Sequence, residues 1–467
     1  MLRPNNIDTI VAQATPFGRG GVAVVRLSGP IIRSIMRALF GCELTPRQAT
    51  YLPFKNSNGC LIDQGLAIFF EAPHSFTGED ILELQCHGSP VVVDLLLQHT
   101  LSLGARIARP GEFSERAFLN SKIDLTQAEA IADLIAATGT RAARLALQSL
   151  QGEFSKAIHA INKKIIALRT YIEAMIDFSE EDIELISDTA ITEQLQRIIT
   201  GLMQLTTGAK QGSLLREGIT VVIMGEPNVG KSSLLNCLSE KEIAIVTETP
   251  GTTRDVLRDT ILIAGIPTHI IDTAGIRESD DLVEQEGMRR AYQEIEKADL
   301  VIRVTDATTD IQNTTINNTC TLTILLEKAG IHPAPTHQNN CPIITIRNKI
   351  DLLSELPSLT QHENHICVAL SAKTGVGVDL LKNAIQSHVG LHAQEEGLFL
   401  ARRRHLDALS KTTTHITDAL NQLQTTRSIV FIAEDLRLAQ QSLNEITGEF
   451  TSDDLLGSIF STFCIGK

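Results

Sequence analysis

The 467-residue sequence predicts a multidomain chain. An α+β module stands at the front, an all-α domain is split in sequence, and an α/β module of the doubly wound kind is inserted into it. Three observations lead there. The chain is too long for one ordinary core, so two to four domains are expected. Short apolar runs separated by turn residues give way, near residue 123, to apolar positions at three- and four-residue spacing. That helical texture returns near residue 390, after a middle stretch in which strand-like and helix-like segments alternate.

Within residues 1–122, "TIVAQAT", "GVAVVRLSG", "GLAIFFEAP" and "DILELQCHG" read as strands. "SPVVVDLLLQHTLSLG" reads as a helix, with Ser89 placed to cap it, Pro90 in its first turn and Gly104 to end it. The opening "MLRPNNIDTIVAQATP" leads into a strand and lacks the charged-then-apolar order of a targeting signal.

From residue 123 to 216, "LTQAEAIADLIAATGTRAARLALQSLQGEFSKAIHAINKKIIALRTYIEAMIDF" contains no proline and few glycines, and reads as one long helical segment. Residues 390–467 open with the same texture. The expectation is that the two runs pack together as one domain, because neither has much to bury its apolar stripe against by itself. Two separate helical appendages are the other arrangement.

Between them, over residues 217–389, "ITVVIM", "THIIDTA", "DLVIRVTD", "PIITIR" and "HICVAL" are apolar runs followed by polar loops. That is the pattern of a parallel sheet covered on both faces. "TTDIQNTTINNTC" reads as a surface loop.

Composition narrows the function classes. Hydrophobic residues make up 43%, Trp is absent, and no run of about 18 apolar residues exists, so no membrane span is expected. The eight Cys form no CxxC pair, which suits a reducing cytoplasm. A formal charge of −14 argues against a general nucleic-acid coat protein. The densest basic cluster, "ARRRH" from Ala401 to His405, reads as a solvated helix face before it reads as an RNA site.

The strand "ITVVIM" runs into "GEPNVGKS", Gly225 to Ser232, which fits G-x-x-x-x-G-K-[ST] with a helix after it. Such a loop closes backbone N–H groups around phosphates at a helix N-terminus. Asn228, Val229, Gly230, Lys231, Ser232 and Ser233 then line the nucleotide, with Lys231 on the β/γ oxygens and Ser232 on Mg²⁺. The following "TETPGTTRD" contributes Thr247, Glu248, Thr249, Pro250, Gly251, Thr252 and Thr253, of which Thr253 joins the Mg²⁺ shell. "DTAG" contributes Asp272, Thr273, Ala274 and Gly275. "NKID" supplies Asn348, Lys349, Ile350 and Asp351. A carboxylate at Asp351 accepts two hydrogen bonds from guanine N1–H and the 2-amino group, donors that adenine lacks. "SAK" supplies Ser371, Ala372 and Lys373 to close over the base.

"DTAGIRES" raises a chemical question. Where small GTPases place a water-orienting glutamine, this chain has Ile276. Either hydrolysis is poor or another group serves. Charge building on the leaving oxygens needs a cation. K⁺ prefers neutral oxygens such as the Asn228 amide and the Thr247, Thr249 and Thr252 oxygens, although an Asn in that loop is also just a good turn residue. Water activation needs a carboxylate, and Glu284 and Glu286 follow on the next helix, where an exposed glutamate is usually only solvated.

The stretches "DTIVAQATPFGRGGVAVVRLSG", "SFTGEDILELQCHG" and "RPGEFSERAFLNSKIDLTQAEAIADLI", the nucleotide motifs and the closing "CIGK" together resemble the MnmE (TrmE) family of tRNA-modification GTPases along essentially the whole chain. The resemblance implies a folate-binding N-terminal domain that also dimerises, a split helical domain, and an inserted P-loop G domain. It implies K⁺ on Asn228, Thr247, Thr249 and Thr252 in place of an arginine finger, and Glu284 as the catalytic glutamate beside Lys231. It implies a folate pocket at Arg26, Glu83, Lys122 and Lys467, using 5,10-methylene- or 5-formyl-tetrahydrofolate. It also implies a homodimer that works with the flavoprotein MnmG, which carries FAD, to place a carboxymethylaminomethyl or aminomethyl group at C5 of the wobble uridine of certain tRNAs. Cys464 is the family's C-terminal cysteine, with either a chemical role or none. A K⁺-stimulated ribosome-assembly GTPase shares the nucleotide motifs and is the alternative, set apart by the first 120 residues and "CIGK". A folate enzyme regulated by GTP is a third reading.

Overall fold

In a computed structural model, residues 8–177, 188–239, 258–263, 265–272, 298–309, 342–362, 365–388, 397–425, 428–449, 453–461, 463 and 466 are described. The chain divides into two compact units. One comprises Met1–Ala132, Ser149–Thr200 and Ala408–Lys467; the other comprises Asp133–Gln148 and Gly201–Asp407. Among the described residues, no helix is long and apolar enough to cross a membrane.

The first unit is built on a six-stranded sheet. Its strands are β1 (Ile10–Gln13), β2 (Gly20–Ser28), β3 (Thr50–Lys55), β4 (Leu61–Phe70), β5 (Ile81–Gly88) and β6 (Arg106–Ile107), in the order β3-β4-β5-β2-β1-β6. All pairs are antiparallel except β1 with β6. Alternation along β2 and β5 turns Val25, Leu27, Leu82 and Leu84 into a core completed by α1 (Ile32–Phe40) and α2 (Pro90–Ser102). α2 starts as its sequence suggests, with Pro90 in its first turn and Ser89 at the N-cap, although Ser89 makes no side-chain cap bond. The same alternation sends Arg26 and Glu83, which are register partners, to the other face. There Ile10, Ala12 and Ala108 pack against Phe113 of α3 (Glu112–Leu119).

The expected single helical run is three helices: α4 (Leu125–Ala136), α5 (Thr140–Leu150) and α6 (Glu153–Asp177). The last break falls at Gly152, whose φ of +82° is the left-handed conformation that ends a helix. Further helices are α7 (Asp188–Glu217), α8 (Lys231–Ser239), α9 (Val378–His388), α10 (Arg403–Thr425), α11 (Ile429–Thr447) and α12 (Asp453–Ser461). Within the first unit α6 packs along α11. Asn162 Nδ2 donates to Asn444 Oδ1 at 2.6 Å, and Arg169 Nη1 donates to Gln440 Oε1 at 2.9 Å.

The second unit holds a seven-stranded sheet: β7 (Ile219–Met224), β8 (Arg258–Ile263), β9 (Ile266–Asp272), β10 (Leu300–Asp306), β11 (Ile343–Asn348), β12 (Ser358–His362) and β13 (His365–Ala369). Its order is β12-β13-β11-β10-β7-β9-β8. The five inner strands are parallel, and their near-continuous Val/Ile/Leu runs are buried in one core. β8 and β12 are antiparallel edge strands absent from the sequence reading. "SLTQH" in β12 has no apolar run to announce it.

Glycine shapes one further junction. A β-carbon on Gly208 would stand 1.9 Å from the Gly397 carbonyl oxygen, and one on Gly212 would stand 2.0 Å from that of Phe399. Only glycine lets the extended 397–400 segment lie flat on α7, where Leu398 and Leu400 enter the core. Beside it Asp133 Oδ1 accepts from Arg216 Nε and from Arg402 Nη2, each at 2.9 Å. This corrects the reading of "ARRRH" as a solvated face. Arg402 is committed to Asp133, and His405 is 2% exposed with its Nδ1 accepting from the Arg402 amide.

Candidate functional site

Polar groups converge at the carboxyl ends of β7, β10, β11 and β13, where ligands bind in open α/β sheets. β7 delivers the loop Gly225–Gly230 to the N-terminus of α8. Gly225, Glu226, Pro227 and Asn228 are exposed there and Val229 is buried. Asn228 takes φ +64°, a left-handed conformation that Asn tolerates in a turn. Gly230 takes φ +97°, and a β-carbon on it would come within 2.3 Å of Asn348 Nδ2. Lys231 is 8% exposed and its Nζ donates to the carbonyls of Gly225 and Glu226 at 2.8 and 2.9 Å. The ammonium is thus held across the loop mouth, while the next residues, Ser232 and Ser233, are exposed.

Asn348, 3% exposed, ties three loops together. Its Nδ2 donates to the Val229 carbonyl at 2.8 Å, and its Oδ1 accepts from the Ala372 amide at 2.9 Å. Buried amide hydrogen bonds of this kind are costly to lose, so the phosphate loop and the "SAK" loop are fixed relative to each other. Ser371 Oγ donates to Asp351 Oδ1 at 2.6 Å and orients that carboxylate, while Lys373 is exposed. Ile350 is 1% exposed and packs with Ala307 and Ala369 under the loop. Lys349, at φ +68°, sends its Nζ to Asp306 Oδ2 at 2.6 Å. The Lys349 ammonium, with the Thr308 hydroxyl and amide, holds the Asp306 carboxyl down at about 2. Asp306 was not singled out in the sequence. Its signal is positional: it ends β10 directly opposite Asn348 in register.

The remaining nucleotide residues fall elsewhere. Asp272 ends β9, and its side chain is not described. Thr247, Glu248, Thr249, Pro250, Gly251, Thr252, Thr253, Thr273, Ala274, Gly275, Ile276, Glu284 and Glu286 lie outside the described residues.

A second cluster occupies the α3-side face of the six-stranded sheet. Arg26 Nε donates to Glu83 Oε1 at 2.8 Å. The Arg26 guanidinium carbon lies 6.0 Å from the Phe76 ring centre and 5.8 Å from that of Phe113. Arg26 is therefore engaged with Glu83 and two rings. Lys122 is exposed and its Cε lies 3.1 Å from where a β-carbon on Gly78 would stand, so the 76–78 stretch touches both basic residues. Gly466 packs on the Gln13 carbonyl, next to the Ala12–Arg26 pair, whereas Lys467 and Cys464 lie outside the described residues.

Behind this cluster stands an ionic network that single-residue reading did not find. Arg116, 1% exposed, donates to Asp8 Oδ1, Glu79 Oε2 and Glu112 Oε1 at 2.9, 3.0 and 3.1 Å. Burial raises the Glu112 carboxyl, but hydrogen bonds from Arg106, the Arg109 amide and Arg116 outweigh it and bring it to about 2. The network pins the loop carrying Phe76 and Gly78 through Glu79, which also accepts from Ser28 at 2.7 Å.

Residues 9–122 match the family described as GTP-binding protein TrmE N-terminus, and residues 125–464 match the MnmE helical domain. A protein named tRNA modification GTPase MnmE from Legionella pneumophila (strain Corby) is 53% identical over 463 residues, covering 99% of this chain and 100% of that protein. Its namesake from Histophilus somni is 52% identical over 461 residues, with 98% and 99% covered. Among solved structures, the FeoB G-domain from Methanococcus jannaschii aligns at 23% identity and TM-score 0.23, over 37% of this chain and 97% of that one. With both family matches in place and full-length relatives above half identity, the chain belongs to the MnmE (TrmE) family of tRNA modification GTPases.

Proposed function

We propose that this chain is a K⁺-activated GTP hydrolase that acts in wobble-uridine modification of tRNA. The observation that carries the nucleotide half is the Asn348 bridge from the Val229 carbonyl to the Ala372 amide. It holds a phosphate-binding loop and a base-binding loop at fixed separation, with Asp351 already oriented by Ser371. A guanine fits the Asp351 carboxylate because it offers two adjacent donors. Lys231, caged by loop carbonyls, trades those contacts for phosphate oxygens when a nucleotide enters. Ser232, exposed at the helix start, would hold Mg²⁺ with Thr253, supplying charge neutralisation on the phosphates. Asn228, exposed and turned outward on the loop, would hold K⁺ with Thr247, Thr249 and Thr252, supplying positive charge where the leaving oxygens gain negative charge. Glu284 orients the attacking water in place of Ile276.

In this reading residues 1–122 bind a tetrahydrofolate derivative (5,10-methylene- or 5-formyl-) at Glu83, Arg26, Lys122 and Lys467 and mediate a homodimer. Residues 123–216 and 390–467 form one helical domain around a G domain at 217–389. The folate supplies a one-carbon unit, and the flavoprotein MnmG with its FAD is the partner in the cytoplasm. The modification is a carboxymethylaminomethyl or aminomethyl group at C5 of the uridine.

The test is GTP hydrolysis by the full chain, with the tRNA nucleoside profile of cells lacking it. Replacing K⁺ by Na⁺ is expected to slow hydrolysis by roughly tenfold or more, and Glu284→Ala to abolish turnover while GTP still binds. Equal rates in both salts would remove the K⁺ assignment, and an unchanged nucleoside profile would remove the tRNA role.

A further inference from the structure

Beside the guanine-side loop stands Asp306, which no nucleotide motif includes, and it is reached from Lys349 of "NKID". Lys349 follows the Asn348 strut, so its backbone is fixed, and its φ of +68° is one that Lys adopts only under constraint. From that position the side chain crosses from the end of β11 to the end of β10 and stops at Asp306. Asp306 is itself immobilised, since Oδ1 accepts from the Thr308 amide at 3.0 Å and from its hydroxyl at 2.7 Å. The neighbouring Ala307 amide donates to the Asn348 carbonyl at 2.9 Å, which locks the two strand ends together. The methylene stem is thereby fixed between the ends of β11 and β10, two residues before Asp351 in the chain. A lysine stem without such an anchor samples many rotamers, and ligand binding must then order it.

We propose that Asp306 is a positioning residue for the purine ring: by pinning the Lys349 ammonium, it holds that side chain's methylenes as the flat wall against which a base hydrogen-bonded to Asp351 lies. This deepens the guanine-nucleotide reading and rests on it. The carboxylate touches neither base nor phosphate. It acts through Lys349, which is preorganised before the nucleotide arrives.

The experiment is a double-mutant cycle on the full-length chain, read by the dissociation constant of GDP carrying a fluorescent ribose label. Asp306→Ala is expected to weaken GDP about tenfold. Asp306→Asn keeps an acceptor for the ammonium and should stay within about threefold of the parent. In Lys349→Met, which keeps an apolar stem and has no ammonium, adding Asp306→Ala should change affinity by under about twofold. An Asp306→Ala loss of the same size in both backgrounds would mean that the residue supports the loop as a whole, and would overturn the assignment. No loss in either background would overturn it as well. Failure of the parent chain to bind GDP at all would bring down the guanine reading, and is told apart because it appears before any substitution.

Discussion

In the six-stranded sheet the charged pair Arg26–Glu83 stands on the face of two adjacent strands, held by cross-strand register. In the seven-stranded sheet the polar groups Asn348, Asp351, Ser371 and Lys231 stand on loops that leave the strand ends. A face site must take its residues from strands far apart in sequence: Arg26 and Glu83 are 57 positions apart. An end site can use consecutive residues, because one loop wraps one portion of the ligand and its backbone does much of the binding. The two also differ in what makes them rigid. Ion pairs on and around α3 brace the face site, whereas the neutral Asn348 amide, with the Lys349–Asp306 pair beside it, braces the end site. Charge bracing makes a region sensitive to pH, and amide bracing makes it sensitive to shape.

The largest expected effect tests shape sensitivity. Gly230→Val places a branched side chain at φ +97° and against Asn348 Nδ2, so it breaks the bridge from two sides. We expect GTP affinity to fall on the order of 10³-fold, equivalent to ~4 kcal/mol, measured by nucleotide titration. Folate binding should be untouched, and joint loss of both would merge the two sites into one cooperative system.

Next comes charge sensitivity. Glu112 titrates near 4.5 when unfolded and at about 2 in the folded chain. Its folded value is depressed, so its contribution is full above pH 4.5 and disappears as pH falls from there toward 2. About 2 kcal/mol of it is lost between pH 6 and pH 3, read as the difference in urea-unfolding free energy between those two values. Glu112→Gln should flatten that difference, and a variant as steep as the parent would show that other carboxylates carry it.

The smallest effect is at the face site itself. Arg26→Ala leaves Glu83 without its partner and removes the cation between Phe76 and Phe113. Binding of 5-formyl-tetrahydrofolate should weaken about tenfold, or ~1.4 kcal/mol, by calorimetry. An unchanged affinity would place the folate elsewhere.

What could be read in advance follows from the same contrast. "GEPNVGKS", "NKID" and "SAK" were legible because each is contiguous and each follows an apolar strand. The inner strands were legible because burial on both faces makes their runs continuous. β12 was not, since "SLTQH" at a sheet edge needs no apolar run, and neither was β8, whose apolar run is only Ile261, Leu262 and Ile263. The break at Gly152 was hidden because a single glycine inside a helical pattern does not say whether it bends or stops the helix. Arg26 and Glu83 came only from resemblance, as cross-strand register is invisible in one chain. Asp306 and Arg116 were missed for a related reason: their partners are 43 positions away in one case and up to 108 in the other.

The Asp133 carboxylate, gripped by Arg216 on the way in and Arg402 on the way out, has an evolutionary corollary. Polypeptide that departs and returns through one doorway can lengthen, shorten or be exchanged without displacing what lies on either side. Such a doorway has to stay narrow, and Gly208 and Gly212, which keep it so, cannot accept even a methyl group.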